Sequence, residues 1–438
     1  MTAEVVILNR GAVAIAADSA ATVGAPGRKI YNTANKLFPL STVEPVAVMV
    51  YGGGSFASIP WETVIKEHRR DLASTSYGSV EEYAEALVAY LPSLVRHVSR
   101  QEQRERVVMT AWWELDMVRT SVESTALAAA SAGTPLTNAQ IRSEILSRVN
   151  ARISHLQQIG FIDGISTAIV GREISAAIKD WPAFVDEYLN GLPTNSVIKR
   201  RARVMARASL RAAQQSPWGS GVVVTGFGTD QLFPAMSQYF VDGIVAGRVR
   251  AWRVGGVCIG KDQSAGIYPF AQEDMVATFM EGIHPDYRLA LSELVDQTIG
   301  LLIDHFSGRV KGALSPAAHS QLLNEMAAAK AVIADRFQDH FRELLKANNS
   351  APIMSIVELL PKEEIAEMAE ALVNLTSFKR RVTPEAETVG GPVDVAVISK
   401  GDGLVWIRRK HYFAPELNPR YFGRDQGLRN AGIMGVRP

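Results

Sequence analysis

The pattern of apolar and polar positions divides the chain into three strand-rich segments and two long helical segments. Apolar runs punctuated by glycines and polar turns, which are typical of buried strands, fill residues 4–51, 221–259 and 393–409. Residues 56–216 and 267–385 are rich in alanine, leucine and arginine and carry helix signals. This order predicts an α+β fold, with a sandwich of sheets flanked by helical layers.

Capping residues mark helix starts in both helical segments. Ser79 and Thr137 are each followed three positions later by Glu or Gln, which is the capping-box pattern, and Ser315 directly precedes a proline. We therefore expect helices to begin after these residues. Apolar side chains then recur on one helical face at Ile141, Ile145 and Val149, and again at Ile365, Met368, Ala369 and Leu372.

The start of the chain predicts a hairpin. Residues 5–8 and 12–17 are apolar and flank a tight turn that ends at Gly11. A strand rises about 3.3 Å per residue. A chain that folds back at Gly11 therefore returns Asp18 close to Thr2.

Thr2 stands directly behind the initiator methionine, where it could act as a nucleophile. Once Met1 is removed, Thr2 carries a hydroxyl and a free α-amine, so nucleophile and base come from one residue. The amine has an ordinary pKa of about 7.7–8.0 and can accept the hydroxyl proton directly or through one water. A lysine lowers the pKa of both groups and needs a carboxylate to hold it. Lys36 and Asp18 can fill these roles.

The segments AVAIAADSAATVG and NKLFPL resemble the opening of proteasome β-type subunits, which are N-terminal-nucleophile (Ntn) hydrolases. Later segments, VVVTGFGTDQLFPAMSQYFVDGIVAG and ETVGGPVDVAVISKGDG, are similar to that family's late strands and glycine turns. The resemblance implies a four-layer αββα sandwich of antiparallel sheets. It also implies that Thr2 is the nucleophile, Lys36 its electrostatic activator and Asp18 the partner of the lysine.

Other positions acquire roles only through this resemblance. Thr22 matches a threonine that binds the substrate backbone. Gly52 and Gly53 match the loop whose amide forms the oxyanion hole. Ser264 and Glu387 are weaker candidates for the helper residues that tune the amine.

The resemblance also implies a discontinuous catalytic core. Both helical segments are much longer than the usual helices of the family, so we interpret them as insertions. The predicted division is a core of residues 1–55, 217–266 and 386–412, helical insertions at 56–216 and 267–385, and a C-terminal tail at 413–438.

Composition excludes several classes of protein. A 47% hydrophobic and 21% charged chain of 438 residues is typical of a globular protein with a large core, and a net charge of +1 gives no argument for binding nucleic acid or a membrane. Cys258, the single cysteine, excludes an intramolecular disulfide and fits a reducing compartment. Glu4 and Arg10 interrupt any secretory signal, and no stretch of eighteen apolar residues predicts a membrane span. We expect a soluble cytoplasmic protein.

No cofactor or metal is predicted. The eight histidines form no His-Glu-x-x-His pattern, and the glycines at 52–54 lack the Lys-Ser/Thr ending of a phosphate loop. The basic stripe of residues 199–211 places Arg200, Arg203 and Arg207 on one helical face. A solvated face or an interface is the favoured interpretation of that stripe over phosphate binding.

The sequence thus predicts an N-terminal-threonine hydrolase of peptide or amide substrates. By resemblance it self-associates into a homo-oligomer, for which a ring is the family's form. Two alternatives stay open. One is a catalytically inactive scaffold or ring-forming interaction protein, and the other is a small-molecule amidase or acylase.

Overall fold

The structure is a computed structural model of the chain, and it describes residues 2–23, 29–383 and 389–418. It has an α+β fold with antiparallel sheets. Its strands are β1 (Ala3–Asn9), β2 (Val13–Ala17), β3 (Ala21–Val23), β4 (Lys29–Tyr31), β5 (Leu37–Pro39), β6 (Val46–Gly52), β7 (Ser55–Phe56), β8 (Ile59–Pro60), β9 (Ser220–Gly226), β10 (Ala235–Val245), β11 (Arg248–Cys258), β12 (Ala265–Ala271), β13 (Asp394–Ser399) and β14 (Gly403–Arg408). Its α-helices are α1 (Trp61–Leu72), α2 (Val80–Tyr90), α3 (Arg100–Ser131), α4 (Asn138–Ile159), α5 (Thr167–Ala177), α6 (Trp181–Tyr188), α7 (Ser196–Ser209), α8 (Asp274–Glu281), α9 (Pro285–Val310), α10 (Pro316–Leu345), α11 (Ala351–Val357) and α12 (Lys362–Val382).

The chain divides into two compact units. Each is built around one five-stranded sheet. The segments assigned to one core from the sequence are therefore divided between both units. Of the described residues, the first unit contains 2–23, 29–37, 232–234, 258–383 and 389–418, and the second contains 38–231 and 235–257.

The sheet of the first unit has the strand order β12-β1-β2-β13-β14, and each neighbouring pair is antiparallel. One of its faces packs on α8, α11 and α12 through a core that includes Val5, Ala16 and Val395. The register places Glu4, Ala17 and Asp394 in one row across β1, β2 and β13. Because side chains alternate between faces along a strand, this row lies on the face opposite the helices.

The predicted hairpin of β1 and β2 is confirmed, and Asn9 builds its turn. The Asn9 side-chain oxygen accepts the N–H groups of Gly11 and Ala12 at 2.9 and 3.1 Å. The Asn9 amide donates to the carbonyls of Val357 and Leu360 at 3.1 and 2.9 Å. One side chain therefore closes the turn and ties it to the end of α11.

The second unit combines a sheet with a helical core. Its sheet has the order β11-β10-β9-β6-β5, and α1 and α2 pack on it through residues such as Val48, Val224 and Tyr83. Helices α3 to α7 form a further apolar cluster that includes Leu115 and Met205. The long helical segment thus contributes helices to two different cores.

The two predicted capping boxes differ in the structure. Thr137 Oγ1 accepts the Gln140 N–H at 3.3 Å, and Gln140 Oε1 accepts the Thr137 N–H at 2.9 Å, so this box is confirmed. Ser79 caps α2 by accepting the Glu82 N–H at 3.3 Å. The Glu82 carboxylate, however, accepts the N–H of Gly78 rather than that of Ser79. The prediction of a reciprocal box at Ser79 is therefore wrong, because a neighbouring amide takes the carboxylate.

Helices α9 and α10 keep many apolar side chains exposed. Ser315 caps α10 as predicted, and no residue of this helix is buried by the described part of the chain. On α9, Leu294, Leu301 and Phe306 are all more than half exposed. The apolar pattern of these helices does not lead to a buried core in the described residues.

Candidate active site

Asp18 is the hub of a buried polar cluster in the first unit. Its Oδ1 accepts hydrogen bonds from Lys36 Nζ at 2.5 Å and from the Ala3 N–H at 3.1 Å. Its Oδ2 accepts the N–H groups of Ala20 and Gly390 at 3.2 and 2.9 Å. The carboxylate is fully buried, and the lysine side chain is 8% exposed. These four bonds offset the cost of burying the charge and fix the position of Lys36.

The register of the hairpin explains why Asp18 lies at this point. Glu4 pairs with Ala17 across β1 and β2, so the next residue, Asp18, comes level with Ala3. The Asp18 N–H donates to the Ala3 carbonyl at 3.1 Å. Gly390 reaches Asp18 because β13, which follows it, pairs with β2. Secondary structure alone therefore places the carboxylate beside the start of the chain.

Thr2 directly precedes β1 and adjoins this cluster. It is 7% exposed, and its hydroxyl has no hydrogen-bond partner among the described residues. The Asp18 oxygen that binds Lys36 also binds the amide of the next residue, Ala3. The structure thus brings together Thr2, Asp18 and Lys36, the three residues singled out from the sequence.

Glu4 is a member of the cluster that sequence reasoning missed. It is 1% exposed, and neither carboxyl oxygen has a hydrogen-bond partner in the described part of the chain. Burial raises the pKa of the Glu4 carboxyl well above its ordinary value, Asp18 adds to that effect, and Lys36 and the Thr2 side chain oppose it. Thr2 and Glu4 are two residues apart at the start of β1, so the extended chain places both side chains on one face, although they form no hydrogen bond with each other. An acidic residue inside the apolar run AEVVILN was the available signal.

A second group of charges lies in the same row of the sheet as Glu4, two strands away at Asp394 of β13. The buried carboxylate of Asp394 accepts bonds from Arg409 Nη1 at 2.9 Å and from Lys410 Nζ at 2.5 Å. Burial lowers the pKa of Lys410; Asp394 opposes this, and the positive charges of Arg409 and Lys36 add to it. Lys36 is therefore close enough to link the two groups electrostatically. Nothing in the sequence pattern singled out this group.

A cavity of about 500 Å³ lies beside α12 and the residues that flank β13 and β14, and Thr2, Asp18 and Lys36 are not among its lining residues. Gly390, which binds Asp18, directly precedes the lining segment, and Arg409 donates to the carbonyl of Leu37 at 3.4 Å, next to Lys36. This volume is in the range of small-ligand sites. Its lining includes Glu370 and Asn374 of α12 together with Gly391, Pro392, Arg408, Arg409, Lys410 and His411.

The structure describes two of the remaining first-unit candidates, Thr22 and Ser264. Thr22 is on β3, opposite Ile30 of β4. Ser264 precedes β12, whose first residue pairs with Asn9 at the far end of β1, about 20 Å along the strand from Ala3. Ser264 is therefore not part of the cluster, because antiparallel pairing carries it away from Thr2. Glu387 lies outside the described residues.

Gly52 and Gly53 belong to the second unit. Gly52 ends β6 with a φ of +78°, and a Cβ there would lie 2.7 Å from the Gly219 carbonyl oxygen. The Gly53 N–H donates to that same carbonyl at 2.9 Å. The Gly53 amide is thus already hydrogen-bonded, and an oxyanion role for either glycine stays a prediction.

Comparisons with known proteins add no assignment. No protein-family model matches the chain, and no curated protein matches it. Among the described residues, no group of His, Cys, Asp and Glu is arranged to hold a metal ion, and no helix is both long and apolar enough to cross a bilayer.

We expect Lys36→Met to destabilise the protein strongly. Removal of one partner from a buried ion pair leaves an uncompensated charge, which costs about 3–5 kcal/mol. Urea denaturation measures this loss in the free energy of unfolding. The control is Lys66→Met, which removes an exposed pair with Glu62 and should cost less than about 1 kcal/mol. Equal losses for the two variants would contradict the role of the Lys36–Asp18 pair.

Glu4→Gln should change how stability depends on pH. The raised pKa means that the folded state binds the Glu4 proton more tightly than the unfolded state does. The stabilisation from this proton is complete below the ordinary pKa of glutamate and is lost as pH rises through the folded pKa. The melting temperature of Glu4→Gln, relative to that of the wild type, should therefore increase as pH rises from 4 to 8. The control Glu364→Gln, at an exposed position, should follow the wild type. If the melting temperatures of Glu4→Gln and wild type change with pH in the same way, this assignment is contradicted.

Proposed function

We propose that this protein is an Ntn hydrolase of the proteasome β type, which cleaves an amide or peptide bond with Thr2 after removal of Met1. One observation carries the proposal. A single carboxylate oxygen of Asp18 holds both the Lys36 ammonium and the amide that follows Thr2. The three residues that the resemblance names lie next to one another in the structure, which supports the proposal. The single cysteine favours the cytoplasm as the compartment.

The reaction follows from the groups in the cluster. Thr2 Oγ1 attacks the substrate carbonyl carbon while the α-amine of the same residue accepts the hydroxyl proton. Lys36, held by Asp18, stabilises the negative charge that develops on the oxygen and favours the neutral amine. The leaving nitrogen takes the proton, and water then hydrolyses the ester on Thr2. The reaction also needs a donor for the oxyanion, and such a donor is worth roughly 2.7–4 kcal/mol in known enzymes.

The fold that this proposal implies is the four-layer αββα sandwich. Two features support it. Each unit has a five-stranded antiparallel sheet, and in each unit helices pack on one face of that sheet. The polar row of Glu4 and Asp394 lies on the face of the first sheet that the helices leave uncovered.

A small-molecule amidase is the second candidate, because the same nucleophile, amine and lysine can also cleave simple amides. Comparing fluorogenic peptides with simple amides as substrates distinguishes the two activities. Preference for simple amides would assign the protein to the amidases.

The exposed apolar side chains of α9 and α10 favour self-association, either of an enzyme or of an inactive scaffold. Leu301, which is 70% exposed, is a suitable position for a test. Light scattering should show a smaller particle for Leu301→Glu if a second copy covers this face. A scaffold without activity would show no hydrolysis in the wild type.

Thr2→Ala should abolish hydrolysis, with a loss of at least about 1,000-fold in kcat, because the nucleophile is removed. Thr2→Ser keeps a hydroxyl and an amine and should retain part of the activity. Circular dichroism should show that both variants fold. The control Thr33→Ala, at an exposed position, should leave the rate unchanged. Full activity in Thr2→Ala would overturn the proposed function.

A further inference from the structure

Glu4 and Thr2 form an unusual buried pair. Both side chains are almost inaccessible, and neither the hydroxyl nor the carboxyl has a hydrogen-bond partner among the residues described. Leaving a buried polar group unpaired costs free energy, so such groups call for an explanation. Thr2 directly precedes β1 and Glu4 lies two residues further on, so a proton donor and a proton acceptor share one face of the strand. Their chemistry is complementary.

The other groups of the cluster cannot take the Thr2 proton. Lys36 is a cation whose Nζ is bound to Asp18. The Asp18 oxygens accept four hydrogen bonds, one of them from that ammonium. While Met1 is attached, the Thr2 nitrogen belongs to a peptide bond and cannot accept a proton. Of the described groups in the cluster, Glu4 alone has a carboxyl that is not engaged.

We propose that Glu4 is a second proton acceptor for the Thr2 hydroxyl, so that Thr2 is acylated whether or not its α-amine is free. This inference rests on the proposed function of Thr2 as the nucleophile. It adds a base that belongs to β1 itself. The site then does not depend on the amine alone.

The proton balance of the step is simple. As the bond forms between Thr2 Oγ1 and the carbonyl carbon, the hydroxyl proton moves to a Glu4 oxygen and an electron pair moves to the carbonyl oxygen. The bond to the leaving group then breaks, and the proton passes from Glu4 to that group. Glu4 returns to its carboxylate form, and Thr2 carries the acyl ester. Water repeats the same transfers to release the acid.

The surroundings of Glu4 suit a base that works at moderate pH. Burial raises the pKa of this carboxyl, and a stronger base accepts a proton from a hydroxyl more readily. The rate of acylation should rise with pH over a range above the ordinary pKa of glutamate. The charged groups beside Glu4 are Lys36 and Asp18. In the same row of the sheet, beyond Ala17, lies Asp394 with its partners Arg409 and Lys410. On β12, Glu4 pairs with the uncharged Phe270, and Tyr268 lies two residues away on the same face.

The test uses a β-lactone, which acylates hydroxyl nucleophiles, on two forms of the full chain. One form has lost Met1 and has a free Thr2 amine. The other carries a leucine inserted between Met1 and Thr2, which prevents methionine removal because aminopeptidases need a small next residue. The rate of acylation at Thr2 is measured by mass spectrometry from pH 4 to pH 9. Wild type, Glu4→Gln and Glu4→Asp are compared in each form.

The blocked wild type should react at Thr2, with a rate that rises with pH. In the blocked form, Glu4→Gln should react at least about 100-fold more slowly and should not show that rise. Glu4→Asp keeps a carboxylate and should show the rise at a lower rate, which a merely structural role would not give.

Two results would overturn the inference about Glu4 without contradicting the proposed function of Thr2. One is equal rates for Glu4→Gln and wild type in the blocked form. The other is a blocked wild type that is inert while the free-amine wild type reacts, and this comparison needs no variant to fold. If neither wild-type form reacts at Thr2, the proposed function fails and the role of Glu4 fails with it.

Discussion

The buried ion pair of Lys36 and Asp18 is the interaction on which the site depends. Two charges of opposite sign lie 2.5 Å apart with almost no access to solvent. Such a pair is stable only when further hydrogen bonds satisfy the carboxylate, and the amides of Ala3, Ala20 and Gly390 supply them. Those amides come from three separate parts of the chain. The pair therefore joins the chain start, the end of β2 and the approach to β13.

Two further buried carboxyl groups lie on one face of the first unit's sheet. The face that packs on α12 is apolar, whereas the opposite face carries Glu4 and Asp394 among its apolar residues. Buried carboxylates that serve only stability are expected to be paired, as Asp394 is with Arg409 and Lys410. Glu4 is not paired in this way. Its free energy cost is consistent with a role in proton transfer, since functional groups are often kept in unfavourable surroundings.

Much of this arrangement could be predicted from the sequence, for physical reasons that are specific to each part. Apolar periodicity and the turn before Ala12 predict the β1–β2 hairpin, and strand geometry then places Asp18 beside Thr2. The role of Glu4 was not predicted, although its position inside the apolar run AEVVILN is a signal of burial. The separation of Ser264 from the cluster could not be predicted for a different reason. Its location depends on the register between β12 and β1, which only long-range pairing determines.

The most direct test of the central claim is to map the adduct formed when the protein purified from cells reacts with a threonine-directed covalent inhibitor. The account predicts that the modified peptide begins at Thr2, lacks Met1 and carries the label on that threonine. It also predicts that Lys36→Met, if it remains folded, slows the labelling. A label on any other residue, with the peptide at Thr2 unmodified, would contradict the claim that the start of this chain is its reactive group.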